Sequence, residues 1–173
     1  MAPTYKTKIR VNQAGESGAV HIYHGQLAVL GNGQARDAIR HMLEQERRHL
    51  DMFNTLMIQT NTPRTWLAPV WHLGGWALGA ATAFLGEHSA MACTDAVEEE
   101  INQHYQKQLD TLAACADELP AQLIETIKIC HADELAHQAT AINHGSHQAP
   151  YYPLMTKVIR KITRAAIALS KRI

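Results

Sequence analysis

Two short segments, EQERRHL at residues 44–50 and ADELAHQ at 132–138, place a glutamate three residues before a histidine: Glu46 with His49, and Glu134 with His137. Three helical residues turn the chain through about 300°, so each carboxylate shares a face with its imidazole. Each pair follows a long helical stretch that carries a further glutamate: Glu16 in the first, and one of Glu98, Glu99 and Glu100 in the second. The order Glu, ExxH, Glu, ExxH over four helices is how a four-helix bundle assembles a two-metal carboxylate site. The separations from Glu16 to Glu46 and from Glu98 to Glu134, 30 and 36 residues, each fit an antiparallel hairpin.

The donor types carry the rest of the chemistry. Four carboxylates and two imidazoles buried without a cation would be strongly destabilising, whereas four negative charges match two divalent ions. Carboxylate and imidazole donors suit iron or manganese; calcium sites seldom use histidine, and structural zinc more often takes cysteine. A lone ExxH is usually a surface pair. Here it is duplicated on two semi-apolar faces, and that points to a dinuclear site. Within the EEE run, periodicity leans to Glu98, because Tyr105 follows seven residues later almost on its face. Glu99 is rotated away by about 100°. Glu100 and His104 stand four apart and form a candidate pair beside the site, while Glu87 and His88 lie turns earlier and miss its plane.

Holding these side chains requires four helices, expected at Val11–Leu30 (with an irregular start around Gly15 and Gly18), Gln34–Gln59, Glu87–Ala116 and Ala121 to about His144. GNG at 31–33, Asn61–Pro63 and ELP at 118–120 punctuate them. No stretch shows strand-type alternation, so the fold class is all-α in a single domain over 1–173. Residues 66–86, WLAPVWHLGGWALGAATAFLG, form an uncharged crossover of 21 residues. That is enough to cross a bilayer, which needs roughly 20. Pro69, Gly74, Gly75 and Gly79 interrupt it, however, and three tryptophans favour the interface. It is expected to dip into one leaflet, and the same apolar surface would also suit a homo-oligomer or a partner protein. A last amphipathic helix is expected over Leu154–Ile173, with Leu154, Val158, Ile162, Ala165, Leu169 and Ile173 along one side. It carries six basic residues, and no acidic residue follows Glu134.

Lys plus Arg equals Asp plus Glu at 16 each, so no global field draws in nucleic acid. Three cysteines (Cys93, Cys115, Cys130) without a CxxC imply free thiols in a reducing compartment. The first residues, MAPTYKTKIR, show neither a signal-peptide core nor a transit peptide. This leads to an expected peripheral position on the cytoplasmic side of a bacterial inner membrane, the matrix side of the mitochondrial inner membrane being the alternative.

The segments RVNQAGESGAVHIYHGQ (10–26), EQERRHLDMFN (44–54), LGAATAFLGEHSAMACTDAVEEEINQHY (78–105) and DELAHQ (133–138) resemble the demethoxyubiquinone hydroxylase family of di-iron monooxygenases. The similarity runs from about Arg10 to Lys171. It implies a ferritin-like four-helix bundle with Glu16, Glu46, His49, Glu98, Glu134 and His137 as ligands of two irons. It also implies a role for His104 and Tyr105 in substrate handling or electron transfer beside them, and a quinone channel facing the membrane. The implied reaction is hydroxylation of a demethoxyubiquinone or demethoxyubiquinol ring with O2 and electrons from NADH. No glycine-rich βαβ fingerprint is present to bind that nucleotide in the usual way. A ferritin-like iron-storage or peroxide-handling protein would share the ligands without needing the Trp-rich crossover. A non-enzymatic quinone-binding scaffold is the remaining alternative.

Overall fold

The first helix begins earlier than expected. In the computed structural model, which describes residues 5–112 and 121–172, α1 spans Tyr5–Val29 and passes unbroken through Gly15 and Gly18. The added turn brings Ile9 into the core with no exposed surface, and burying such a side chain contributes about 1.5–3 kcal/mol. α2 spans Gln34–Thr60 and stops at Asn61, whose left-handed φ of 49° closes the last turn as an αL cap. α4 spans Glu87–Leu112 and α5 spans Ala121–Asn143. The expected turn at ELP and the expected end of α4 at Ala116 lie outside the described residues.

α1 packs on α2 and α4 packs on α5, and contacts between α2 and α5 join the two hairpins into a ferritin-like four-helix bundle. No strand occurs among the described residues. The apolar pattern explains the closure. Ile39, Met42 and Leu43 on α2 join Tyr23, Met91 and Ala141 in one cluster. Phe53, Leu56 and Met57 on the same helix join Ile9, Leu123 and Ile127 in the other. Along α2 the segment between the two clusters carries Glu46 and His49, and along α5 the segment between Ile127 and Ala141 carries Glu134 and His137. The polar layer therefore lies between two apolar plugs.

The crossover is a regular helix, α3, spanning Ala68–Phe84, which corrects the expectation that proline and glycines interrupt it. Pro69 sits in the first turn, where its missing N–H is no loss. Gly75 and Gly79 are the surface on which α3 meets α1. A Cβ at Gly79 would lie 2.8 Å from the carbonyl carbon of Ile22, and one at Gly75 would lie 2.9 Å from the carbonyl oxygen of Gly18. Gly25 returns the contact, since a Cβ there would lie 2.8 Å from the backbone nitrogen of Ala80. Small residues thus let two backbones approach closely, as in tightly packed helix pairs.

A 3₁₀ turn over Ser146–Gln148 leads to α6, Tyr152–Ser170, two residues earlier than expected at its start. Asp95, buried on α4, fixes this turn by accepting hydrogen bonds from Ser146 Oγ (3.0 Å) and Tyr152 Oη (2.7 Å). α6 lies on α4 through Ile159 and Thr156. Leu154, Val158 and Leu169 face away from the bundle and are exposed, while Ile162, half exposed, edges a cavity between α6 and its neighbours. Trp71 Nε1 on α3 donates to Ser170 Oγ on α6 at 3.0 Å, so the two flanking helices meet.

Candidate metal centre

All six expected ligand side chains lie together, each at most 2% exposed. Their donor atoms form two overlapping groups. One holds Glu16, Glu46, His49 and Glu134; the other holds Glu46, Glu98, Glu134 and His137. Glu46 and Glu134 belong to both. The centre therefore has an internal pseudo-twofold relation, with one glutamate and one histidine private to each half and two carboxylates shared.

His49 Nδ1 lies 3.3 Å from Glu134 Oε1 and 3.4 Å from Glu16 Oε2. His137 Nδ1 lies 3.0 Å from both Glu46 Oε1 and Glu134 Oε2. The outward nitrogens are held in a matching way. His49 Nε2 meets Asp133 Oδ2 at 2.9 Å, and His137 Nε2 meets Gln45 Oε1 at 3.3 Å. Asp133 precedes Glu134 and Gln45 precedes Glu46, so each histidine is oriented by the residue before the shared glutamate of the other motif.

The EEE run is divided three ways by the helical turn. Glu98 enters the centre, Glu99 pairs with Arg160 at 2.6 Å, and Glu100 accepts a forked contact from Arg164 at 2.6 and 2.7 Å. Glu100 does not pair with His104, which instead receives the amide of Gln108 at 2.6 Å. Glu87 and His88 are exposed and stand outside the cluster. Tyr105 is buried and donates its hydroxyl to Glu16 Oε1. Its ring is also neighbour to His104, with centroids 6.2 Å apart.

Sequence reasoning missed Tyr23, whose hydroxyl donates to Glu98 Oε1 at 2.8 Å. The signal was present: Tyr23 follows Glu16 by seven residues, as Tyr105 follows Glu98. It also missed Gln45 and Asp133, whose positions inside the two motifs marked them.

The electrostatics are those of a cluster built for cations. Burial raises the Glu98 carboxyl above its usual range, and Glu134 and Glu46 push it in the same direction. Burial opposes a charge on His137, but the carboxylates of Glu134 and Glu46, each 3.0 Å from its Nδ1, override it and raise the imidazole to about 9. His49 is likewise raised, against burial, by Glu134, Glu16 and Glu46. Both phenols are raised, by burial first and then by the neighbouring carboxylates. Glu16 Oε2, both oxygens of Glu46, Glu98 Oε2, Glu134 Oε1 and His49 Nδ1 are buried without a hydrogen-bond partner. Orphaned acceptors so concentrated would be costly in a finished core, and two divalent ions would satisfy them. Oxygen and imidazole donors of this kind suit iron, and the buried set fits a di-iron site.

Comparison with known proteins gives the same reading. The chain is 47% identical over 166 residues to the 3-demethoxyubiquinol 3-hydroxylase of Rhodospirillum rubrum, covering 95% of this chain and 76% of the relative. It is 45% identical over 164 residues to the NADPH-dependent 3-demethoxyubiquinone 3-hydroxylase, mitochondrial, of Mus musculus, with the same coverage. The 5-demethoxyubiquinone hydroxylase, mitochondrial, of Saccharomyces cerevisiae is 38% identical over 179 residues, again covering 95% of this chain and 76% of the relative. Where NADH was expected, the mouse relative's name specifies NADPH.

The expected placement on the cytoplasmic side of a bacterial inner membrane is overturned. The mouse relative and five others of similar identity are mitochondrial by name. Among the described residues no helix is long and apolar enough to cross a membrane. The family model described as "Ubiquinone biosynthesis protein COQ7" matches residues 3–170, and the chain belongs to that family.

Proposed function

We propose that the chain is a di-iron monooxygenase of ubiquinone biosynthesis, hydroxylating the ring of a 3-demethoxyubiquinol with O2 and electrons derived from a nicotinamide cofactor. The observation that carries this reading is the pairing of the ligand cluster with an apolar cavity beside it. The cavity, of about 250 Å³, lies between α1, α3, α4 and α6. Gly15 and Val97 line it, and these residues precede Glu16 and Glu98. A Cβ at Gly15 or Gly18 would meet nothing within 4 Å, so the α1 wall is open on this side. Trp71 and Leu78 on α3 and Ile162 and Ile167 on α6 supply further apolar lining.

Glu16, Glu46, His49, Glu98, Glu134 and His137 hold the metals in this reading. Two bound irons supply the redox chemistry that activates O2. The protein holds the ring, keeps water out and directs protons. The apolar walls take the isoprenoid part of the substrate, where each buried methylene contributes roughly 0.8 kcal/mol. Tyr105 holds its phenolic proton against Glu16, and His104, kept neutral by its surroundings and fixed by the Gln108 amide, stands beside its ring. His104 and Tyr105 are the catalytic pair of the proposal.

The substrate's tail argues for a membrane surface as the place of work. Trp66, Val70, Leu73, Trp76 and Phe84 on or beside α3 are exposed, as are Leu154, Val158 and Ile162 on α6. Lys157 and Lys161 on α6 stand among the latter. Apolar side chains flanked by cations suit peripheral insertion into anionic bilayers.

Anaerobic loading with Fe(II), followed by addition of a short-chain demethoxyubiquinol, O2 and a reductant, tests the reaction. The expected product is the hydroxylated quinol by mass spectrometry. Iron uptake without product would leave a storage, peroxide-handling or scaffold role. Flotation with anionic vesicles tests the surface: binding should weaken in Trp76→Asp, and protein that stays wholly in the soluble fraction would overturn membrane docking.

A further inference from the structure

The two halves of the centre share one feature that the ligand set alone does not require. Tyr23 on α1, the helix of Glu16, donates to Glu98 on α4; Tyr105 on α4, the helix of Glu98, donates to Glu16 on α1. Each tyrosine lies seven residues after the glutamate of its own helix, two turns along the same face. Both rings are 1% exposed. In each case the hydroxyl takes Oε1, and Oε2 of the same carboxylate is left buried and unpartnered. Glu46, by contrast, accepts no phenol hydrogen bond, and its Oε1 lies 3.0 Å from His137 Nδ1.

We infer that Tyr23 and Tyr105, the latter in addition to its part in the proposed reaction, are a matched pair of positioning residues that confine Glu98 and Glu16 to one-oxygen ligation. This inference rests on the metal-centre reading above. The physical reason is competition for lone pairs. An oxygen that accepts a buried phenol hydrogen bond is a weaker donor to a metal. It is also held away from the metal by the geometry of that bond, because a buried phenol has no water to turn to. Each half then offers four carboxylate and imidazole donors: one oxygen of its private glutamate, one imidazole nitrogen, and one oxygen from each shared glutamate; the buried Cys130 thiol also lies beside Glu16 and His49 in the first half. Chelation by Glu16 or Glu98 would add a fifth donor and close a position that a small reactant needs. Tyr23 does not line the cavity, and its hydroxyl donates to Glu98, so its contribution runs through Glu98.

The experiment is anaerobic titration of the full chain with Co(II), whose visible absorption weakens as the coordination number rises. The unmodified protein should bind cobalt in both halves with intense bands. Tyr23→Phe should still load fully and lose intensity at one of the two ions, as Glu98 Oε1 swings onto the metal. Tyr105→Phe should produce the same loss at the other ion, and the double variant should lose both. Spectra of loaded Tyr23→Phe that superimpose on the unmodified protein's would overturn the inference while leaving the metal centre intact. Failure of the unmodified protein to bind any metal would instead remove the reading on which it rests. Should Tyr23→Phe not fold, infrared spectra of the cobalt-loaded unmodified protein decide the matter. A widely split pair of carboxylate stretches, the mark of one-oxygen ligation, supports the inference; only closely spaced pairs would overturn it.

Discussion

His49 turns its Nε2 to Asp133, 2.9 Å away, and its Nδ1 to the shared and private carboxylates of its half of the centre. An imidazole locked from behind by a carboxylate is both oriented and made a better donor. The opposite half has the neutral Gln45 in that place. Asp133→Ala should therefore lower metal affinity by roughly 10–100-fold, read by competition with a coloured chelator. The Asp133 side chain is 34% exposed, so the fold should survive. Unchanged affinity would reduce Asp133 to a surface acid.

His104 predicts a pH dependence. Burial lowers its imidazole to about 4, with Lys171, Lys8 and Lys107 adding to the effect, and the Gln108 amide bond at 2.6 Å needs the ring nitrogen bare. An unfolded histidine takes its proton near pH 6.5, so as pH falls below that value the unfolded chain binds the proton first. Stability should drop between about pH 6.5 and pH 4, by at most roughly 3 kcal/mol from this group. Urea denaturation of unmodified protein and His104→Gln at both ends of the window should show a shallower fall in the variant. Parallel curves would remove His104 from the acid response.

Gly79 meets the backbone of Ile22, and any side chain there must push α3 off α1. Gly79→Val should cost about 1–3 kcal/mol in urea denaturation. Gly74 is the control: nothing lies within 4 Å of a Cβ there, so Gly74→Ala should be neutral or stabilising by about 0.5–1 kcal/mol. Equal effects at the two positions would contradict the close helix approach.

Arg160 and Arg164 join α6 to Glu99 and Glu100. Replacing both with alanine leaves Glu100, 4% exposed, without its cation, so α6 should loosen. Limited trypsin digestion should then cut faster after Lys157 and Lys161. Iron content should hold, since neither arginine belongs to the ligand groups. Loss of iron with unchanged proteolysis would reverse this assignment.

The duplicated ExxH motif was legible because helical geometry is local: a spacing of three puts two side chains on one face in any helix. For the same reason the bundle helices and their apolar stripes could be read from Ile39, Met42, Phe53 and Met57, all of which are buried. Local pattern could only lean toward Glu98 over Glu99 and Glu100, because the choice depends on which neighbour each meets. Tertiary structure supplied Tyr23 for the first, and Arg160 and Arg164 for the others. Gly75 and Gly79 read as breaks in the crossover because a glycine weakens an isolated helix. Packed against α1 they are the residues that permit the contact, and that depends on a backbone more than 50 positions away in the chain. The direction of the apolar side of α6 was likewise beyond the sequence. Amphipathic periodicity marks such a side, but only the docking of Ile159 and Thr156 on α4 turns Leu154, Val158 and Leu169 outward.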